Sequence, residues 1–234
     1  MKARLEATVE VHPPHHPIMS VKEFLIHMLA ITIGLLIAVG IEGLVELHHE
    51  HKLVKEARGT LREEIEYNSK TISDALPDIA SEKTTMADNI KLLTRITENP
   101  KDKEAQLGAI RAGFNIVGLH NTAWKTAQAT NALAFMPYDE AQRYADIYGA
   151  QQAFSDEQDK LLEDEAQLMG VFAKTDFGHG DVTADEAKMA LERFGVWRGH
   201  LLFLELAARV TAASDEAFLE GKEGPASMSE QISK

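Results

Sequence analysis

The spacing of apolar positions along this chain changes character near residue 46. From Phe24 to Val45 the run FLIHMLAITIGLLIAVGIEGLV is apolar all round, and its centre, Met28 to Ile41, carries no charge and no histidine. As a helix at 1.5 Å per residue this run is roughly 33 Å long, enough to cross a hydrocarbon layer of about 30 Å. Lys22 and Glu23 before it, and Glu46, His48, His49, Glu50, His51 and Lys52 after it, put polar groups where they reach the headgroups. The run exceeds a signal-peptide core and no A-x-A-like site follows it. The pattern therefore predicts a retained transmembrane helix over 23–47, preceded by a flexible tail over 1–22.

After this run the apolar residues fall onto one helical stripe: Leu47, Val54, Leu61, Ile65, Ile72 and Leu76 recur at steps of three, four or seven. Pro77 is expected to kink or end that helix. A second stretch carries Ile79, Met86, Ile90, Leu93 and Ile96 to about Glu98, and Asn99 to Asp102 forms a turn. A helix is expected from Lys103 to Ala112, then an apolar connector from Phe114 to Leu119, then a helix from an Asn121 cap to Phe135. Met136 to Asp139 turns the chain into a long helix from Glu140 to about Ala173, with Tyr144, Ile147, Tyr148, Phe154, Leu161, Leu162, Leu168 and Val171 on its apolar face. Lys174 to Val182 is a loop by its glycines. Thr183 and Glu186 have capping-box spacing, so a last helix starts there, with Gly195 and Gly199 as candidate interruptions. Leu201 to Leu206 is too short to span a bilayer and reads as bundle core. The fold class is all-α: one N-terminal transmembrane helix continuing into a soluble antiparallel helical bundle over 48–220, with a disordered polar tail over 221–234.

Composition narrows the function classes. The 234 residues include no cysteine, which excludes disulfides and thiolate chemistry, and the net charge of −13 argues against a nucleic-acid partner. Seven prolines and 6% aromatics favour helix over sheet. No G-x-S-x-G, phosphate-binding glycine loop or H-E-x-x-H is present. A non-enzymatic protein is expected.

Within the apolar run, Ala30, Gly34 and Ala38 recur every four residues and Glu42 continues their ridge, the small-xxx-small pattern that lets helices approach in lipid. These residues are the candidate helix interface. Glu46 and His49 have E-x-x-H spacing, which places carboxylate and imidazole on one helical face. With His48 and His51 they form a candidate metal or pH-responsive collar, since imidazole titrates near pH 6.5. No second E-x-x-H completes a di-iron set, so a metal there requires copies of the chain to meet. His27, one turn inside the run, is a candidate haem or partner contact. No cofactor is predicted outright; metal or haem is the minor reading. His12, His15 and His16 cluster in the tail without a frame, and Asp176 to Asp181 lacks calcium-loop spacing. Trp124 and Trp197 fall in apolar stripes and read as core.

Glu23 to Asn68, with its Gly34-Leu-Leu-Ile-Ala38 helix, acidic and His-containing boundary and charged E-x-x-x-N-like end, resembles a class of uncharacterised bacterial single-pass membrane proteins that carry a domain of unknown function. Ala123 to Gln151 resembles a recurring middle element of the same class. Leu47 and His48 stand where other members carry Trp and Asn. The resemblance implies an anchored helical domain and brings no catalytic residues. The expected location is the bacterial inner membrane; Lys52, Lys55, Arg58 and Arg62 against Lys2, Arg4 and Lys22 leave orientation nearly balanced, and the resembling class tips it toward a periplasmic bundle. The expected partners are the lipid bilayer and a second copy or another membrane subunit. The leading expectation is an accessory or interaction subunit, with a ligand-sensing bundle and a metal- or haem-binding redox subunit as alternatives.

Overall fold

The structure, a computed structural model, describes residues 20–175, 177 and 179–222. Most of both expected tails, His12, His15 and His16, and Asp176 in the glycine loop lie outside the described residues. The fold is all-α: α1 (Val21–Glu98), α2 (Lys103–Gln106), α3 (Thr122–Ala129), a 3-10 turn (Ala132–Phe135), α4 (Tyr138–Phe172) and α5 (Ala184–Leu219), with no strand among the described residues. Contacts divide the chain into two units after His51. The described part of the first is helical and its apolar side chains are exposed; no residue of its most apolar window is buried. By length and composition it is a helix able to cross a membrane.

The second unit, from Lys52 onward, is built on a heptad. On α1 the buried positions Leu61, Ile65, Asn68, Ile72, Ala75, Ile79, Met86, Asn89, Leu93 and Ile96 fall at alternating steps of three and four, with half-buried Glu82 filling the missing place. The spacing continues on α4 as Tyr144, Ile147, Gln151, Phe154, Gln158, Leu161 and Leu168, and on α5 as Ala187, Ala190, Phe194, Trp197, Leu201, Leu204, Ala208, Thr211 and Asp215. A period of 3.5 keeps one seam inward over many turns, the condition for knobs-into-holes packing. Side chains from all three helices share one core, with Ile79, Phe154, Leu161, Phe194, Trp197 and Leu201 fully buried or nearly so.

Side-chain pairs fix the directions. Arg58 meets Glu140, Glu64 meets Tyr148 and Asn68 meets Gln151, so α1 and α4 rise together. Gln151 meets Asp215, Asp164 meets His200 and Gln167 meets Arg193, so α5 runs antiparallel to α4, and with it to α1. Parallel neighbours need a return crossing, and residues 107–121 provide it as an extended strap.

Four expectations are corrected. Pro77 does not end the helix: it is exposed, the carbonyl it frees belongs to exposed Ser73, and water can satisfy that group while Ile72 and Ile79 hold the core side. The helix expected over Lys103 to Ala112 is only the short α2: the Gly108 N–H closes a turn on the Ala105 carbonyl, and from Arg111 the strap is held by side chains of α1 and α4. The helix from Asn121 stops at Ala129, where Asn131 adopts a left-handed conformation (φ 57°) and leads into the 3-10 turn. Gly195 and Gly199 do not interrupt α5, which runs 36 residues. The Thr183–Glu186 capping box is present with both reciprocal bonds. Leu201 and Leu204 are core as expected, while Leu202 and Phe203 of the same run are exposed.

Candidate functional site

Three polar residues in the heptad, Asn89, Gln158 and Asn68, are bidentate clamps on the strap. Asn89 accepts from the Arg111 N–H (3.1 Å) and donates to its carbonyl (2.5 Å). Gln158 does the same for Val117 (2.9 and 3.0 Å), and Asn68 for His120 (2.8 and 2.7 Å). A primary amide presents the same donor and acceptor pair as a peptide group, so each clamp imitates a neighbouring β-strand. The register is metric. Arg111 to His120 is nine extended residues, about 30 Å, and their clamps Asn89 to Asn68 are 21 helical residues apart, about 31.5 Å. Three strap residues therefore match one heptad.

One layer departs from this pattern. Glu82 holds the heptad place between Asn89 and Ala75, its Oε1 is buried without a hydrogen-bond partner, and Glu165 lies close enough to act on it. A side-chain carbon on Gly113 of the strap would come within 4.0 Å of Glu165 Oε1. Burial first and the Glu165 charge second push the Glu82 carboxyl up to about 7.

Where the strap ends, a denser polar cluster forms. Asn68 Nδ2 also donates to Gln151 Oε1 (2.8 Å), and Gln151 Nε2 donates to Asp215 Oδ2 (3.0 Å), so the chain of bonds crosses α1, α4 and α5. Asp215 is fully buried and its Oδ1 has no partner; burial lifts its carboxyl to about 7 despite the Gln151 bond. One helical turn before Asn68, Glu64 accepts from the Ala123 and Trp124 N–H groups (2.9 and 3.2 Å) and from the Tyr148 hydroxyl (2.8 Å). Glu64 thus caps α3 from another helix, whereas the expected cap, Asn121, makes no side-chain cap bond. Burial and the Glu64 bond push the Tyr148 hydroxyl far above its ordinary range.

Above this floor Trp124 stacks on Tyr148 (4.9 Å between centroids, 13° between planes) and His120 stacks on Tyr67 (4.1 Å, 9°). A cavity of about 360 Å³ opens there, lined by His120, Trp124, Lys125, Gln128, Tyr148 and Gln152 among others. Its aromatic wall, four side-chain amides (Asn121, Gln128, Gln151 and Gln152) and one ammonium suit a small polar ligand with a planar part. Trp124, expected as core, is only half-buried and faces this cavity; Trp197 is fully buried, with its Nε1–H unpaired.

The residues singled out in the sequence lie elsewhere, all on the first unit. Ala30, Gly34, Ala38 and Glu42 are exposed, with open space around the position a Gly34 side chain would fill. His27, Glu46, His48, His49 and His51 are exposed as well, and His51 Nδ1–H donates to the Leu47 carbonyl at 2.7 Å. Among the described residues no group of three or more His, Asp or Glu side chains is placed to hold a metal. The cavity cluster escaped sequence reading because its members are spread from residue 64 to 215. The one usable signal was polar residues at heptad core places, Asn68, Asn89, Gln151, Gln158 and Asp215. No protein-family model, curated protein or solved structure matches this chain.

Proposed function

We propose that the chain is a non-enzymatic accessory or interaction subunit of the bacterial inner membrane, anchored by Phe24 to Val45 with its bundle on the periplasmic side. The observation that carries this reading is α1 itself: an apolar stretch exposed on every side and the heptad core of the bundle are written into one 78-residue helix. Apolar side chains left bare to that extent require lipid or another apolar surface. The ridge Ala30, Gly34, Ala38 and Glu42 supplies the contact within the membrane, with a second copy or with another subunit. Purification in mild detergent tests it. The native chain is expected to migrate as an oligomer or with a partner, and Gly34→Leu to release it; an unchanged assembly state would remove the ridge from the account. A C-terminal alkaline phosphatase fusion tests the side, active if the bundle is periplasmic and silent if it is cytoplasmic.

A second reading has its own observation, the cavity at Trp124 and Tyr148. A ligand there would rest on Gln151 and His120, both hydrogen-bonded to Asn68 of α1. In that reading the bundle is a ligand-sensing element. A thermal-shift screen of small carboxylates and aromatic metabolites against native and Trp124→Ala protein separates it: a stabilising compound whose effect Trp124→Ala abolishes supports sensing, and the absence of any hit removes it.

A further inference from the structure

The layers that the strap crosses are not alike. Asn68 bonds to Gln151, 83 residues further along the chain, and the same step pairs Ala75 with Gln158, Glu82 with Glu165 and Asn89 with Phe172. At one crossing every three residues, the strap meets these layers at His120, Val117, Phe114 and Arg111. Three of the four are clamped at both N–H and carbonyl by a primary amide: His120 by Asn68, Val117 by Gln158 and Arg111 by Asn89. Phe114 is the exception, since among the described residues no hydrogen bond reaches its N–H or its carbonyl.

The unclamped layer is also the one without an amide. Asn68, Ala75, Glu82 and Asn89 hold the same heptad place of α1, so Glu82 lies on the line from which Asn68 and Asn89 reach the strap. Its Oε1 is buried and has no hydrogen-bond partner. The strap runs against this pair of acids, because a side-chain carbon on Gly113 would lie 4.0 Å from Glu165 Oε1. Gly113 holds a φ of 155°, a conformation that side chains rarely adopt, which gives the peptide joining it to Phe114 room to turn. A carboxylate only accepts hydrogen bonds, whereas a carboxylic acid presents an O–H donor beside a carbonyl acceptor, the same pair as a primary amide. One proton therefore converts Glu82 from a group unable to clamp a peptide into one that can.

We propose that Glu82 is a proton-operated latch on the strap: protonated, it donates to the Phe114 carbonyl and accepts the Phe114 N–H, as Asn89 and Asn68 do for their peptides, and ionised it releases them. Release frees Phe114, which packs half-buried against the three-helix core. Burial and the Glu165 charge keep the proton on Glu82 up to about 7, so the latch closes below neutral pH and opens above it. Glu165 is the charge that acts on Glu82 from α4. The other ionisable groups at this level are engaged or exposed: Lys83 of α1 pairs with Glu205 of α5, which Arg209 also holds, Asp164 of α4 bonds to His200 of α5, and Asp78 of α1 and Arg111 of the strap face water.

Amide hydrogen exchange of the full-length protein in nanodiscs, resolved to single residues and corrected for intrinsic rates, reads the latch directly. The background is Asp215→Asn, because Asp215 titrates in the same range and reaches His120 through Gln151 and Asn68. Protection of the Phe114 amide should be roughly tenfold greater at pH 5 than at pH 8, while the amides of Arg111 and Val117, held by Asn89 and Gln158, keep theirs. Glu82→Gln should protect Phe114 at both pH values and Glu82→Ala at neither. Equal protection of Phe114 at the two pH values, or a change that Arg111 and Val117 share, would overturn the proposal in that background alone, however the Glu82 variants fold. A pH response of Phe114 that persists in Glu82→Gln or Glu82→Ala would overturn it as well.

Discussion

Asn68 and His120 are joined as two strands would be: the Asn68 amide accepts the His120 N–H at 2.8 Å and donates to its carbonyl at 2.7 Å, while the same Nδ2 reaches Gln151. One buried side chain thereby ties the strap, α1 and α4. Replacing it with Ala strands the backbone groups of His120 and removes a donor from Gln151. Asn68→Ala is expected to cost about 2 to 4 kcal/mol in denaturant unfolding of the bundle. Lys70→Ala two residues on, where only an exposed pair with Asp74 is lost, should leave the unfolding midpoint essentially unchanged. Equal costs at the two sites would remove the clamp's special role.

Glu64 acts on α3 through two backbone N–H groups and on α4 through the Tyr148 hydroxyl. Glu64→Ala removes all three bonds at a buried place, with an expected cost of about 2 to 3 kcal/mol. Because Trp124 is the residue capped, its fluorescence should shift to the red as α3 loosens, while fully buried Trp197 supplies a constant background. An unchanged emission maximum in the destabilised variant would show that α3 is held by other means.

Asp215 and Glu82 are carboxyls whose folded pKa, about 7 for each, lies above the unfolded value near 4. The folded state therefore holds protons that the unfolded state releases. Stability is greatest below the unfolded pKa and falls as pH rises through 7, so the bundle should resist denaturant better at pH 5 than at pH 8. Asp215→Asn and Glu82→Gln should each raise stability at pH 8 and flatten this slope. Glu82→Gln has the larger scope, since an amide there supplies the kind of clamp the neighbouring layers carry. A slope equally steep in the double variant would assign the pH dependence elsewhere.

Trp197 fills the core with an indole N–H that meets no acceptor. Trp197→Phe removes that unpaired donor along with some volume, and should cost less than about 1.5 kcal/mol. Trp197→Ala leaves a cavity and should cost about 3 to 5 kcal/mol. Comparable losses by thermal unfolding would mean that the indole N–H is paired in solution.

The elements that could be read from the chain were those whose cause is local. The apolar run at Phe24 to Val45, the stripe from Leu61 through Ile72, the long helix after Met136 and the cap at Thr183 each rest on neighbours within a few residues. What escaped was decided by distant partners. Lys103 to Ala112 has ordinary helical composition, yet Asn89, 22 residues before Arg111, holds its far end extended. Asn121 has the chemistry of a cap, but Glu64 takes that place from a different helix, 59 residues away from Ala123. Pro77 has a strong local meaning, which a core spanning three helices overrides where the ring faces water. The cavity at Trp124 required all of these placements together, so no stretch of sequence announced it. Ala30, Gly34, Ala38 and Glu42 of the apolar helix and the histidine collar are the reverse case, legible as pattern, with no neighbour among the described residues of a single chain to define them.

The three-to-seven match between strap and helix makes residues 108–121 a ruler for the bundle. From Arg111 to His120 the strap advances nine residues while α1 falls 21 from Asn89 to Asn68, close to 31 Å by either path. A strap already near full extension has no slack to lend. Lengthening α1 and α4 by one heptad and α5 to match would require three more strap residues, and two would not reach. Conversely, a single deletion between Arg111 and His120 cannot be absorbed by a tighter curve; it must unhook Asn68 or Asn89. Within this bundle, insertions and deletions are thus expected to be tolerated only in whole units, seven on the helices for three on the strap.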